Sequence, residues 1–342
     1  MKTILLIMAS SVVGCVPPGG SWGNWGSGGG GGGGATHGGT GAPPPSPNLV
    51  ATGASKQLQR VTHDNNNNES EAVLSADGKW LLFTSSVRGE DGAIQANRIM
   101  RSRADGRGGV LLSKESGFTS SPAWLPSGNA YLAITDAMGS RDIAKALRVA
   151  PNAAMSRVLS GRDVTEPDGV TVSPTGTHIA FHSQVGGVWT IGVSRIDGSE
   201  LTHLVPGAYP AWSPDGKRLA FHRQVNNHWQ IFITDAEGGE LTQVTEGDAN
   251  DEQASWSPDG KFIAFVSNRG WNRFPNADAS SVGNVYAVRA DGSGLVALTD
   301  GARSAAATEW GADGKIYFAS TDGGTWDVWR LEPDKNALAT AQ

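Results

Sequence analysis

A single cysteine in 342 residues rules out an internal disulfide framework and any cysteine-ligated metal cluster. Charge is also sparse. Only 18% of the residues are charged, the net charge is -6 and no basic stretch stands out, which excludes the positive patch or stripe of a nucleic-acid binder. No apolar run approaches the about 20 residues that a membrane-spanning helix needs. What is abundant is glycine, at 47 residues, but sixteen of these fall in the first 54 positions and seven form the unbroken run Gly28 to Gly34. Tryptophan is also plentiful: 12 residues against 4 tyrosines, ten of them beyond residue 54. An aromatic core is therefore expected downstream of the glycines, in a chain long enough for one or two domains.

The first residues have the three-part pattern of a secretory leader: a positive charge at Lys2, an apolar stretch from Ile4 to Val13 and a small residue at Gly14. Val12-Val13-Gly14-Cys15 resembles the lipobox of bacterial lipoproteins, whose leader is cut before a cysteine that is then lipidated. The resemblance implies a signal peptide over 1–14 and a lipid anchor on Cys15, with several acyl chains contributing ~0.8 kcal/mol per buried methylene. Val16 stands where an Asp would favour retention in the inner membrane. The implied address is the outer membrane, facing the periplasm or the cell surface.

Residues 15–54 read as the lipidated cysteine and a Gly-, Pro- and Ser-rich tether, too poor in apolar periodicity to offset the entropy of ordering. Its r.m.s. span is roughly 35 Å. Within it, Gly19-Gly20-Ser21-Trp22-Gly23 fits the G-x-S-x-G pattern of a hydrolase nucleophile elbow. That elbow requires a preceding strand and a following helix; here a leader precedes it and polyglycine follows, so the match is an accident of composition.

From residue 55 the sequence repeats. Trp212-Ser213-Pro214-Asp215-Gly216-Lys217 and Trp256-Ser257-Pro258-Asp259-Gly260-Lys261 are identical over six residues. Weaker copies place glycines at 78, 128, 176 and 314, giving intervals of 50, 48, 40, 44 and 54 residues. Six units of about 48 residues therefore fill 55–342. In each, an apolar run ends in a turn whose Pro presets φ and whose Gly accepts positive φ. A second apolar run follows, such as Ile179-Ala180-Phe181 or Phe262-Ile263-Ala264-Phe265, without polar alternation, as in a strand buried on both faces. A third run and a second turn lead to a fourth strand ending in Leu-Thr or Val-Thr. Four short strands per repeat make one propeller blade.

These motifs, recurring in order over about 285 residues, resemble the TolB-like family of six-bladed β-propellers with its WD40-like (PD40) repeats. The resemblance implies an all-β fold of six four-stranded blades. Gln57 to Thr62 looks like a fourth strand without its own blade, so the N-terminal strand is expected to complete the last blade and close the ring; the alternative is that Asn336 to Thr340 supplies that strand. TolB itself carries a small α/β domain before its propeller, and the anchor and tether stand in its place here.

The loops opposite the conserved turns are the variable ones. They carry His63, Asp64 and Glu69, then Glu166 and Asp168, then Asp248, Asp251 and Glu252, and the long segment Asn268 to Asn284 adds Trp271 and Arg273. Acidic and amide groups are thus expected to converge on the channel mouth. They would suit a polar ligand, a peptide segment or a cation such as calcium, whose ligands are oxygens. Solvated turn chemistry is the competing account; no fixed calcium-loop spacing is present, and no cofactor is required.

His182 and His222 occupy equivalent positions after Ala-Phe in adjacent repeats. Oligogalacturonate lyases, with related repeats, hold a metal on propeller histidines, which makes this pair a weak metal candidate. Buried structural histidines are the expected reading. Trp189, Trp229 and Trp326 recur at the start of third strands and are expected in blade cores rather than in a carbohydrate-stacking row. Related propellers also precede the catalytic domain of prolyl-oligopeptidase-type peptidases, but six blades leave no room for one. The expected function is a non-enzymatic, monomeric scaffold for a cell-envelope protein or polar ligand. The competing class is a polysaccharide lyase with a metal site.

Overall fold

Each Ser-Pro-Asp-Gly-Lys segment closes a hairpin with its own side chains. Ser213 Oγ donates to Asp215 Oδ1 at 2.6 Å, the same oxygen accepts Lys217 N at 3.1 Å, and Arg218 N donates back to Ser213 Oγ at 3.0 Å. The same three bonds recur at Ser75, Asp77 and Trp80 and at Ser257, Asp259 and Phe262. Gly216 donates its N–H to Ser213 O at 2.8 Å and sits at φ +70°, where a side chain is strained. In three successive turns the Gly packs against the Pro of the turn before: a Cβ on Gly176 would lie 3.3 Å from Pro126, one on Gly216 3.5 Å from Pro174, and one on Gly260 3.7 Å from Pro214.

The computed structural model of the protein describes residues 50–64, 66–90, 93–114, 117–270, 283–301, 304–321 and 325–341. Cys15, most of the tether, Trp271 and Arg273 lie outside the described residues. The chain enters through β1 (Val50–Ala51) and β2 (Ser55–Arg60). Blade 1 is β3 (Asn67–Leu74), β4 (Trp80–Arg88), β5 (Ile94–Arg103) and β6 (Val110–Leu111). Blade 2 is β7 (Thr119–Trp124), β8 (Tyr131–Thr135), β9 (Asp142–Ala146) and β10 (Met155–Leu159). Blade 3 is β11 (Thr165–Val172), β12 (His178–Val185), β13 (Val188–Arg195) and β14 (Thr202–Pro206). Blade 4 is β15 (Ala208–Trp212), β16 (Arg218–Val225), β17 (His228–Asp235) and β18 (Leu241–Gln243). Blade 5 is β19 (Asp251–Trp256), β20 (Phe262–Ser267), β21 (Asn284–Arg289) and β22 (Val296–Ala297). After β23 (Thr299–Asp300), which pairs with β1, blade 6 adds β24 (Ala305–Trp310), β25 (Ile316–Ser320) and β26 (Asp327–Pro333).

The result is six four-stranded antiparallel sheets and one two-stranded ribbon. β2 pairs with β26 as the outer strand of blade 6, so the N-terminal segment closes the ring. The alternative strand is instead a helix: α1 (Lys335–Thr340) is capped by Asp334, whose carboxylate accepts Asn336 N and Ala337 N.

The Leu-Thr ending has a structural reason. Thr245 Oγ1 accepts Ile231 N at 2.9 Å and donates to Gln230 Oε1, and Thr299 does the same with Val285 and Asn284. Thr62 accepts Val328 N at 2.9 Å, so residues just past β2 behave as the end of a blade. Phe181, Phe221, Phe265 and Phe318 of the second strands are wholly buried. The core has no single centre: Ala220, Ile231 and Ile233 of blade 4 pack with Ala254, Trp256, Ile263 and Phe265 of blade 5, and similar clusters fill the other blade interfaces.

Candidate functional site: the axial channel

The innermost strand of every blade breaks its register at an equivalent place, and β11 has a second break between Thr165 and Asp168. The slips fall between Ser70 and Val73, Ser120 and Ala123, Asp168 and Thr171, Ala208 and Ala211, Glu252 and Ser255, and Ala306 and Glu309. At each of these bulges one residue takes a left-handed conformation: Glu71 (φ 53°), Ser121 (50°), Gly169 (58°), Tyr209 (51°), Gln253 (56°) and Ala307 (53°). All six line a cavity of about 250 Å³ on the axis, together with Glu309, Thr308, Pro122 and Pro210. A bulge re-aims side chains, and here it does so once per blade towards the axis.

Four of the bulge N–H groups donate to a side chain of the preceding blade. Ser121 N reaches Glu71 Oε2 at 2.9 Å, Tyr209 N reaches His182 Nδ1 at 3.3 Å, Gln253 N reaches His222 Nδ1 at 3.1 Å, and Ala307 N reaches Gln253 Oε1 at 2.6 Å. This explains the two histidines. Each is about 1% exposed and accepts at Nδ1, which assigns its proton to Nε2. Burial drives their pKa values down to about 4 and about 3, so both stay neutral. Tyr209 lies between the two imidazoles, 4.6 Å and 5.5 Å from their ring centres. Trp189 and Trp229 meet His182 and His222 edge-on at 5.0 and 4.9 Å. Trp229 is buried, and Trp189 and Trp326 are half-buried.

Across blades 1 to 3 runs a hydrogen-bonded chain. Thr84 Oγ1 and Ser121 N both donate to Glu71 Oε2, Ser121 Oγ lies 3.1 Å from Glu71 Oε1 and 2.7 Å from Asp168 Oδ1, and Arg141 pairs with Asp168 Oδ2 at 2.7 Å. A hydroxyl has one proton to give. The shorter contact and the ion pair favour Asp168 as its acceptor, and a proton on Glu71 Oε1 would then complete the chain by donating to Ser121 Oγ. Burial, and then the Asp168 charge, raise the Glu71 pKa, in keeping with a neutral acid. Glu309 is also pushed up by burial, to about 7.

The loop residues expected at the mouth divide into three places. Asp64 and buried Glu69 lie at the seam of blades 6 and 1, where Glu69 N donates to Trp326 O; burial takes the Glu69 carboxyl to about 7. Neighbouring His63 is exposed. Glu166 is exposed, whereas Asp168 is half-buried on Arg141. Asp248 is exposed, Asp251 is fully buried against Arg269 at 2.5 Å, and half-buried Glu252 is pushed to about 7 by burial and by Asp251. Arg269 also donates to Glu246 O at 2.8 Å, clamping that loop. Several of these side chains therefore hold loops in place rather than wait for a ligand.

A metal does not fit the residues described. No group of three His, Cys, Asp or Glu side chains is placed to hold an ion among the described residues, and both histidines spend Nδ1 on the backbone. Glu71, Ser121, Tyr209, Gln253 and Glu309 were not anticipated from the sequence. Their signal lies in aligned columns: Glu71-Ala72-Val73-Leu74, Ser121-Pro122-Ala123-Trp124, Tyr209-Pro210-Ala211-Trp212, Gln253-Ala254-Ser255-Trp256 and Ala307-Thr308-Glu309-Trp310. With Gly169-Val170-Thr171-Val172 added, the first column holds all six bulge residues, and its chemistry changes from blade to blade.

Residues 172–273 match the family model of the TolB beta propeller domain (PD40). No curated protein matches the sequence. Among solved structures, a TolB-type protein from Agrobacterium tumefaciens aligns at 17% identity with a TM-score of 0.58, over 84% of this chain and 99% of that one. A gluconolactonase from Xanthomonas campestris aligns at 15% identity and a TM-score of 0.56, over 84% and 94%. An oligogalacturonate lyase from Vibrio parahaemolyticus aligns at 12% identity and 0.52, over 85% and 98%. At such identities the likeness is one of fold. The chain is a six-bladed propeller, a fold that these TolB, lactonase and lyase structures share.

Proposed function

We propose that the protein is a non-catalytic binding module of the bacterial cell envelope, held to lipid through Cys15, whose channel and loop face receive a protein or polar ligand. The observation that carries this reading is the ring of bulge residues. A fold that needs only a left-handed residue is served best by glycine, and a side chain there costs roughly 1–2 kcal/mol. Five of the six blades carry one all the same, and each lines the cavity. Strain kept at such positions is a mark of function. The leader and lipobox pattern supports an envelope address, and among the described residues no helix is long and apolar enough to cross a membrane.

The test is photo-crosslinking in intact cells from a reactive residue placed at exposed Glu166 or Asp248. A discrete adduct with an envelope component is expected, absent when the probe sits at Lys217 on the turn face, and Cys15→Ala should release the protein from membranes. Labelling no different from that at Lys217 would overturn the reading. The lyase and lactonase that share the fold support a catalytic alternative. Turnover of acidic oligosaccharides that is lost in His182→Ala or His222→Ala would replace the binding module with an enzyme.

A further inference from the structure

Among the described residues, the axial cavity holds one carboxyl that its own wall leaves largely unpaired. Two carboxylates line it, Glu71 and Glu309. Glu71 has both oxygens engaged, by Thr84 Oγ1 and Ser121 N on Oε2 and by Ser121 Oγ on Oε1. Glu309 receives one long hydrogen bond, from Ser255 Oγ to Oε2 at 3.3 Å, and no described residue donates to its Oε1. No lysine, arginine or histidine is among the lining residues. The remaining wall is mixed: Pro122, Val172, Pro210, Ala211 and Ala254 give it apolar surface beside the polar Ser121, Thr171, Gln253 and Thr308, and Tyr209 and Trp124 also line it.

We propose that this cavity binds an alkylammonium group, with the charged nitrogen on Glu309 and the methylenes against the proline and valine wall. The inference rests on the reading of the channel as a binding site and names the chemistry of its ligand. Size agrees: a dry cavity of about 150 Å³ accepts benzene, so about 250 Å³ takes a short amine of up to roughly ten heavy atoms. An inorganic divalent ion is a poor match, since it needs six or more oxygens and a single carboxylate is free. An anion would meet Glu309 without a positive partner. An alkylammonium fits both halves of the wall, because its charge answers the carboxylate and its stem buries apolar surface; aromatic faces add attraction for a cation. The ligand could be a free small amine or the amine-bearing side chain of a partner, and the recognising chemistry is the same.

Glu309 also gives the binding a signature. With its pKa near 7 in the empty cavity, about half of the carboxyl is protonated at pH 7, and an arriving ammonium favours the ionised form. Binding should therefore release up to about half a proton at that pH.

The test is isothermal titration of the full chain with 1,5-diaminopentane, 1-aminopentane, pentan-1-ol as the neutral match, and a blocked lysine amide as the side-chain source. Both amines are expected to bind, pentan-1-ol at least about tenfold more weakly. The heat at pH 7 should differ between buffers of different ionisation enthalpy by the proton released. Glu309→Gln should weaken the amines about tenfold or more without lowering the unfolding midpoint. The free diamine binding better than the lysine amide, or the reverse, identifies the source. The proposal is overturned if neither amine binds at about 10 mM, if pentan-1-ol binds equally well, or if a folded Glu309→Gln variant binds unchanged. Should that variant not fold, the comparison with pentan-1-ol decides alone. Crosslinks from Glu166 or Asp248 without amine binding would remove only this inference; amine binding without crosslinks would remove the protein partner and leave the cavity its ligand.

Discussion

Ser121 donates its backbone N–H to Glu71 Oε2 at 2.9 Å while its hydroxyl lies 3.1 Å from Glu71 Oε1, so one residue meets both oxygens of a single carboxyl across the interface of blades 1 and 2. With the Ser121 proton on Asp168, the arrangement is fully satisfied when that carboxyl is an acid, and burial raises its pKa in that direction. Glu71→Gln should then be nearly neutral, within about 1 kcal/mol, since an amide both accepts from Ser121 N and Thr84 and donates to Ser121 Oγ. Glu71→Ala leaves those donors without a partner and should cost about 1–3 kcal/mol. Urea unfolding of both variants checks this. A Gln variant as unstable as the Ala variant would show that Glu71 is ionised.

The pH dependence of stability follows from the same kind of group. Glu69, Glu252 and Glu309 have folded pKa values raised from 4.5 to about 7, mainly by burial. A raised carboxyl binds its proton more tightly when folded, so its contribution is complete below the unfolded value and is lost as pH rises through the folded one. His182 and His222 have lowered values, about 4 and about 3; their contribution is complete above 6.5 and is lost as pH falls towards those values. Above 6.5 only the carboxyl effect remains. The unfolding midpoint should therefore fall between pH 6.5 and about 8, and the fall should be shallower in Glu309→Gln. A midpoint flat or rising over that interval would refute the assignment of buried, protonated glutamates.

Much of the fold was legible because the repeat is written in residues that act locally. Ser213, Asp215 and Gly216 bond to one another within a hairpin, so the same six letters give the same turn wherever they occur. The strand before blade 1 was legible because its Val-Thr ending, Val61-Thr62, copies the endings inside the chain. The bulge ring was not legible as a site, since the register slip that turns Gln253 or Tyr209 towards the axis leaves the apolar pattern around it intact. Nor could the loops reveal which carboxylates are already taken. Asp251 and Asp248 look alike in sequence, yet only Asp251 meets Arg269, which comes from the other end of a hairpin.

The turn chemistry can be tested by substitution. Ser213→Ala removes the donor to Asp215 and the acceptor for Arg218 N, and should cost about 1–2 kcal/mol. Gly216→Ala should cost a similar amount for a different reason: its Cβ would make ordinary contact with Pro174 at 3.5 Å, but φ +70° is strained for any side chain. Combining Ser213→Ala with Ser257→Ala should give the sum of the single effects, provided the two turns do not share partners. Denaturant midpoints at constant m-value would verify this. A sum that fell short by more than about 0.5 kcal/mol would mean that neighbouring turns are coupled through their Pro-Gly contacts.

Ring closure has its own polar lock. Arg60 on β2 pairs with Asp327 on β26 at 2.6 Å, and Asp327 is completely buried while Arg60 is about one-fifth exposed. Burial raises the Asp327 pKa against the pull of Arg60, which shows how much of its ionisation depends on that partner. Arg60→Ala strands a buried carboxylate and should destabilise the propeller by about 3–5 kcal/mol. Adding Asp327→Asn removes the stranded charge and should recover part of that loss, making the double variant more stable than Arg60→Ala alone. Lowering the pH should also narrow the gap between Arg60→Ala and the parent chain, because the orphaned Asp327 then takes up a proton. Thermal unfolding of the four chains in a double-mutant cycle measures each effect. Equal, additive losses at both sites and at every pH would mean that the seam is held by backbone pairing of β2 with β26 and that the ion pair contributes nothing to closure.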